Sequence, residues 1–235
     1  MPQVTYVQSE KPGWYKITLD GGCKVEAADE DGAFYAEVTL DNLRRNAGGN
    51  ELPNMVIEDW PDLAYRGLML DISRNFTSKD NILKLIDLLA HYKVSIFHLH
   101  FGDDEGWRLE IEKFPDLTTY GARHAFPEKN AEGEYVETEC LMPSYNGRID
   151  PEDMTSAANG YLTGEDYIDI LKYAWERRIQ VIPEFDTPGH SRAAIKSMEA
   201  YARRTGDDSY LLSEPEDESV YLSIQYYRGN ALNVA

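Results

Sequence analysis

An α/β fold of successive β-α units, preceded by a small α+β segment, is predicted by three observations. Three nearly continuous apolar runs, at residues 67–72 (GLMLDI), 94–97 (VSIF) and 179–183 (IQVIP), have the length and branched content of strands buried on both faces. Amphipathic helical patterns of one or two dozen residues separate or follow them, which is the rhythm of βαβ units with right-handed crossovers. Each run also ends in titratable, aromatic or basic side chains, and parallel α/β folds carry their chemistry at the C-terminal ends of the strands.

Composition bounds the rest. The 235 residues are 42% hydrophobic and 28% charged, an ordinary globular balance with enough chain for a sizeable core. The net charge of −19, from 23 basic and 42 acidic residues, repels phosphate backbones and anionic lipid, so neither nucleic acid nor a membrane surface is expected as a partner. A neutral substrate is compatible with it. Cys23 and Cys140 show no metal-type spacing and by themselves identify no compartment. The first residues lack the basic start and apolar core of a signal peptide, and no stretch reaches the ~20 apolar residues of a membrane span.

Residues 1–60 read as a small α+β unit. Residues 14–19 alternate like a strand, Asp20-Gly21-Gly22 is turn chemistry, and residues 24–27 form a second strand. Asp29 is placed to cap a helix with Glu30 and Asp31 in its first turn. Phe34, Val38, Leu40 and Leu43 supply the apolar face, the helix runs to about Arg45, and Gly48-Gly49 ends it. Residues 55–57 add a short strand. This is a thin core, expected to be incomplete or to lean on the region after residue 60.

Trp60-Pro61 marks the boundary to the second region, 61–235. After the strand at 67–72, Ser78 caps a helix reaching Tyr92, with Ile82, Leu85, Ile86 and Leu89 on one face. The second strand leads into His98, His100, Asp103, Asp104, Glu105, Trp107 and Arg108. Residues 114–160 read as a long irregular loop, of the kind that lines binding sites. Thr163 and Asp166 form a capping box with aspartate replacing glutamate, opening a helix with Ile168, Leu171 and Trp175 on its apolar face, widened by Tyr167, Ile170 and Ala174. The third strand ends in Glu184, Asp186 and His190, and a helix from Ser191 to about Arg204 comes next. An acidic loop runs on to Glu218.

Units of this kind fit either a (β/α)8 barrel or a doubly wound sheet, although no Gly-rich phosphate loop follows any strand. At the three strand ends, Arg74 offers a rigid fork of donors suited to sugar hydroxyls or carboxylates; its plain alternative is an ion pair with Asp71 or Asp103. Asp103 and His190 can form a carboxylate-imidazole pair across neighbouring strands, a common way to support a catalytic acid. Trp107 is as readily a packing residue as a binding one. His98 and His100, two apart, face the same side of their strand, so a metal-dependent barrel hydrolase using both, with carboxylates as further ligands, is the alternative reading.

The segments 66–74 (RGLMLDISR), 97–108 (FHLHFGDDEGWR), 161–163 (YLT) and 181–190 (VIPEFDTPGH) resemble the opening segments of the β-N-acetylhexosaminidases of glycoside hydrolase family 20. The resemblance covers roughly residues 54–235, and residues 24–43 are similar to the end of the small α+β domain that precedes the family's barrel. It implies a (β/α)8 TIM barrel of which about the first three β-α units are present. It further implies a retaining exo-hydrolase of terminal N-acetylglucosamine or N-acetylgalactosamine on a glycan, in which the sugar's own acetamido oxygen acts as nucleophile. By position, Arg74 and Trp107 belong to the substrate and Asp103 and His190 support the general acid. No metal and no cofactor is expected, and a periplasmic or secreted location is implied. The family's adjacent Asp-Glu pair, which polarises the acetamido group and protonates the leaving oxygen, has no counterpart among these residues, so the chain is expected to be an inactive portion of a longer enzyme. A carbohydrate-binding remnant that has lost catalysis is the non-enzymatic alternative.

Overall fold

The computed structural model describes residues 3–123, 159–214 and 229–233. The chain divides into two compact units, one of Met1–Leu68, Lys84–Phe97 and Tyr173–Gln180, the other of Met69–Leu83, His98–Lys172 and Val181–Ala235.

The first unit contains a four-stranded sheet of β1 (Val4–Tyr6), β2 (Tyr15–Leu19), β3 (Cys23–Ala27) and β4 (Met55–Asp59), in the order β1-β3-β2-β4. Strand β2 buries Tyr15, Ile17 and Leu19 and half-exposes Lys16 and Thr18, as its alternation requires. It pairs antiparallel with β3 (Tyr15↔Ala27, Leu19↔Cys23) and with β4 (Tyr15↔Asp59, Leu19↔Met55). Strand β1 was not expected. Its three residues are too short to show a period, and only the parallel pairing Val4↔Val25 reveals it.

Helix α1 (Glu30–Ala47) covers this sheet. Asp29 caps it as expected, accepting from Gly32 N at 2.8 Å through one carboxylate oxygen and from Gly13 N at 2.8 Å through the other. The helix runs past Arg45 to Ala47 and stops at Gly48, whose φ of 61° is left-handed. Of the expected face Leu40 enters the core with Tyr15, Ile17, Val25 and Ala27, but it is joined there by Tyr35 and Ala36, while Phe34 is only half-buried against it. Small Ala36 and Gly32 let the helix approach closely, and that geometry selects the stripe beside Phe34 and Val38.

Strands β5 (Gly67–Asp71), β6 (Ile96–Gly102) and β7 (Gln180–Phe185) form a second sheet in that order. Arg66 O accepts from Ser95 N and Ile96 N, and His100 O accepts from Ile72 N, so β5 and β6 run in the same direction. Bonds from Gln180 N to Ser95 O and from Asp186 N to Gly102 O give β7 that direction too. Strand β6 extends through both histidines rather than stopping at Phe97. Burial of β5 on both faces is not observed: Leu68 is 40% and Met69 51% exposed, because β5 has a strand neighbour on one side only among the described residues.

Helix α2 (Lys79–His91) follows β5 and buries Ile82, Ile86 and Leu89. Between β6 and β7 lie a short helix, α3 (Asp116–Thr119), inside the stretch expected to be irregular, and α4 (Gly164–Trp175). The remainder of that stretch, 124–158, lies outside the described residues, as do Cys140 and the acidic run from 215. Helix α4 opens on the expected box, with Asp166 N donating to Thr163 Oγ1 and Thr163 N to Asp166 Oδ2. Its buried residues are Ile170 and Ala174, with the Tyr167 ring edge-on to Phe101; Ile168 and Trp175, expected to lead the core face, are 50% and 72% exposed. Both stripes have helical spacing, and the side that meets the strands decides between them. Helices α2 and α4 end alike, with Lys93 (φ 55°) and Arg178 (φ 59°) left-handed and bonds from Val94 N to Leu89 O and from Ile179 N to Ala174 O, so each helix turns directly into the next strand. Helix α5 (Arg192–Thr205) follows β7.

Replacing a helical glycine by alanine ordinarily stabilises by about 1 kcal/mol. At Gly32 the added Cβ meets Trp14 O at 2.2 Å, so Gly32→Ala is expected instead to destabilise by roughly 1–3 kcal/mol, read as a lower urea midpoint at unchanged m-value.

Candidate active site

Three strand ends of the second sheet meet in the second unit, and local chemistry shapes each. At the end of β5, Asp71 Oδ1 accepts from Ser73 N (2.9 Å) and Arg74 N (3.1 Å), an Asx-type turn that swings the chain off the sheet and presents Arg74. At the end of β6 the chain folds back on itself, with Asp103 N bonded to Gly106 O and Arg108 N to Phe101 O. Gly106 is required here, since a Cβ would lie 2.7 Å from the Arg108 guanidinium. At the end of β7, Ser191 Oγ donates to Asp186 O and Gly189 O, and His190 is held at a left-handed φ of 55°, a conformation that non-glycine residues adopt at some energetic cost.

Arg108 fastens this arrangement from beneath. It has no solvent exposure, and its fork donates to Ser73 O through Nε (3.1 Å) and Nη2 (2.7 Å) and to Ala122 O (2.8 Å) and Gly160 O (3.1 Å) through Nη1. Ser73 Oγ in turn donates to Gly106 O at 2.7 Å, tying the β5 and β6 turns to each other.

Above it lies a network of charges. Arg74 binds three carboxylates: Asp103 at 2.6 Å through Nη2, Asp71 at 2.8 Å through Nη1 and Glu105 at 3.0 Å through Nε. Burial opposes the Arg74 charge, but these carboxylates hold its pKa above the usual guanidinium value. Asp103 is buried; its Oδ2 also meets His100 Nε2 at 3.0 Å, and its Oδ1 faces Asp104 N and, at 3.3 Å, His190 Nδ1. Burial would raise the Asp103 pKa; the bonds from His100 and Asp104 N, with the Arg74 charge, hold it below the usual carboxylate value. His190 Nδ1 is shared with Asp104 Oδ2 at 3.2 Å. Asp104, wholly buried, also accepts from Asn230 Nδ2 and from Arg192 N, so it serves the start of α5.

Arg74, Asp103 and His190 are thus brought together at the ends of three adjacent parallel strands. For Arg74, ion pairs with both Asp71 and Asp103 are present, and its side chain is still 35% exposed. Trp107 stacks on Phe185 at 4.7 Å and donates its Nε1–H to Leu109 O, which is the packing role weighed from the sequence. His98 and His100 do face one side: Nε2 of His98 and Nδ1 of His100 lie 3.0 and 2.7 Å from the same oxygen of Glu184. Two sets of groups lie close enough to share a cation, His100 with Glu184 and Asp186, and Asp103 with Asp104 and His190. In the first set hydrogen bonds engage both His100 nitrogens, and in the second His190 Nδ1 already meets both carboxylates. Neither set contains His98 and His100 together.

From the sequence, Asp71 entered only as an ion-pair partner for Arg74 and His100 only as a ligand in the metal alternative, and Asp104, Glu105, Arg108, Asn230 and Glu184 had no role. Glu184 was discoverable, because it lies at a strand end beside two histidines of one parity. Arg108 belonged to the strand-end cluster without a role, and Asn230 carried no sequence signal. A cleft of about 830 Å3 lies elsewhere, in the first unit, lined by Phe34, Asp41, Leu88, Tyr92 and Arg177 among others, and it contains none of these groups.

Two family models match the chain: "Glycosyl hydrolase family 20, catalytic domain" over residues 63–235 and "Glycosyl hydrolase family 20, domain 2" over residues 2–60. A beta-hexosaminidase of Vibrio vulnificus is 41% identical over 233 residues, covering 96% of this chain and 26% of that protein. An N,N'-diacetylchitobiase of Vibrio harveyi is 40% identical, covering 92% of this chain and 24% of its own length. Among solved structures, a GH20 exo beta-N-acetylglucosaminidase from Vibrio harveyi in complex with N-acetylglucosamine superposes with a TM-score of 0.78 at 34% identity, covering 98% of this chain and 32% of that one. The chain therefore spans about a quarter to a third of the length of these relatives.

Removing the Arg108 fork strands the carbonyls of Ser73 and Gly160 and leaves Ala122 O only its bond from Gly160 N, and an unsatisfied buried polar group costs roughly 1–3 kcal/mol. Arg108→Met is expected to lower the unfolding free energy by at least ~2 kcal/mol in urea titration. Arg108→Lys should recover little of that loss, because one ammonium cannot span the three carbonyls.

Proposed function

Because the chain belongs to glycosyl hydrolase family 20, we propose that the protein carrying it is an exo-β-N-acetylhexosaminidase, removing terminal N-acetylglucosamine or N-acetylgalactosamine from glycans with retention through the substrate's acetamido group. Residues 1–60 are assigned to an accessory α+β domain and residues 61–235 to the first part of the (β/α)8 catalytic barrel. The meeting of the two family matches between residues 60 and 63 supports that division.

The observation that carries the reading is the direct contact of Asp103 with both Arg74 and His190 at the strand ends. A guanidinium has five N–H donors. Three of those of Arg74 go to Asp103, Asp71 and Glu105, leaving two for sugar hydroxyls from a half-exposed side chain already fixed in place. Half-buried Trp107 is assigned to the same sugar as an apolar wall. His190 turns Nδ1 to Asp103 and Asp104, so Nε2, on the other side of the ring, is the nitrogen that can support a carboxylic acid. That acid and its neighbouring carboxylate are assigned to a part of the longer relatives that this chain does not span.

In the full-length protein, release of nitrophenol from 4-nitrophenyl N-acetyl-β-glucosaminide, with none from the glucoside lacking the acetamido group, is the expected result. Arg74→Met should lower kcat/KM about 10- to 100-fold, the worth of a charged hydrogen bond. Asp103→Asn should act mainly on kcat, within the ~10²- to 10⁴-fold that general acid catalysis supplies. Equal turnover of both glycosides would overturn substrate assistance. Binding of N-acetylglucosamine without turnover would favour the carbohydrate-binding reading.

A further inference from the structure

We propose that Glu184, acting through His100, is a positioning residue for Asp103, as part of one chain of alternating imidazole and carboxylate groups that runs from His98 to His190. This rests on the reading of Asp103 and His190 as the pair that supports the general acid. The chain is continuous: His98 Nε2 to Glu184 Oε2 at 3.0 Å, Glu184 Oε2 to His100 Nδ1 at 2.7 Å, His100 Nε2 to Asp103 Oδ2 at 3.0 Å, and Asp103 Oδ1 to His190 Nδ1 at 3.3 Å. His98, Glu184 and His190 are partly exposed, while His100 and Asp103 are buried, each 2% exposed.

The geometry sets the protonation of His100. Each ring nitrogen faces a carboxylate oxygen, and a neutral imidazole has an N–H on only one of them. His100 donates to both carboxylates at once only if it carries both protons. The carboxylates around it favour this, against burial and the like charge of the Arg74 guanidinium. Asp71 and Arg74 approach from the end of β5, with Arg74 Nη1 at 3.5 Å; Asp103 stands beyond it on β6; Glu184 and Asp186 face it from β7. Burial alone would lower the His100 pKa, but the bonds to Asp103 and Glu184 and the nearby Asp71 charge push it up to about 9.

The consequence falls on Asp103. As an imidazolium, His100 places a second cation beside Arg74 on Asp103 Oδ2, which keeps this buried carboxylate ionised and leaves Oδ1 for His190. Without the Glu184 charge, His100 loses one of the partners that offset its burial, its pKa falls, and its hold on Asp103 weakens. Stability depends on pH accordingly. A histidine whose pKa rises from 6.5 to about 9 on folding contributes stability that is fully present below about pH 6.5 and is lost as the pH rises through 9.

The test has two arms on the full-length protein. In the first, low-field proton and 15N-histidine NMR of the unsubstituted protein should show one imidazolium with both N–H groups hydrogen-bonded, titrating near pH 9. Histidines that all titrate near 6.5 would overturn the proposal, and this arm needs no variant that might misfold. In the second, Glu184→Gln should lower the pH at which that imidazolium titrates and move the acid limb of the kcat profile up by about one pH unit, the shift expected when a nearby opposite charge is lost. KM should change little, and Glu184→Asp should restore part of the effect. A Glu184→Gln protein with an unaltered imidazolium and profile would sink the idea. If the unsubstituted protein has no hexosaminidase activity, the proposed function fails while the NMR arm still decides the state of His100.

Discussion

A carboxylate taken out of water keeps its charge only if cations and donors replace the hydration it has lost, and the effective penalty otherwise runs to several kcal/mol. Asp103 is in that position. Its replacements come from different parts of the chain: Arg74 past the end of β5, His100 on its own strand, Asp104 N in the following turn and His190 past the end of β7. The three strands must therefore lie in one register for this group to be tolerated. A slip along any strand would move a cation away from a charge that cannot be rehydrated. The site is thus a condition on the fold as well as a product of it.

Around that condition, small devices hold the strand ends. The Asp71 turn presents Arg74, the Gly106 turn makes room for the Arg108 guanidinium, and Arg108 joins the Ser73 carbonyl to those of Ala122 and Gly160. Asp104 accepts the Arg192 amide at the start of α5 and one side of His190 at once. A carboxylate near a helix N-terminus is favoured by the dipole, so the cap that starts α5 also fixes the imidazole. Packing and candidate catalysis share the same atoms here, and substitutions at Arg108 or Asp104 should disturb both.

Most of the secondary structure was legible because it is written in local terms. The Asp29 and Thr163 caps, the stop at Gly48 and the apolar runs of β5, β6 and β7 each depend on residues within a few positions of one another. The elements that failed to read had no local period. Strand β1 exists by pairing with β3, and α3 is a single turn in a region of loop composition. Helix α4 carries two stripes at helical spacing, and the one led by Trp175 faces solvent because packing against Phe101 selects Tyr167 and Ile170.

By itself the sequence determined the α/β class, the order of the three strands and the gathering of Arg74, Asp103 and His190 at their ends, since strand parity and the polarity of a parallel sheet are local properties. It also carried the family, through motifs long enough to identify. The tertiary structure alone decided which partners those side chains have. It placed Asp104 beside Asp103 on His190, drew Asn230 onto Asp104, and set Glu184 between His98 and His100. Those contacts join residues 84 to 126 positions apart, and only the packing of strands and turns brings their charges within hydrogen-bonding distance.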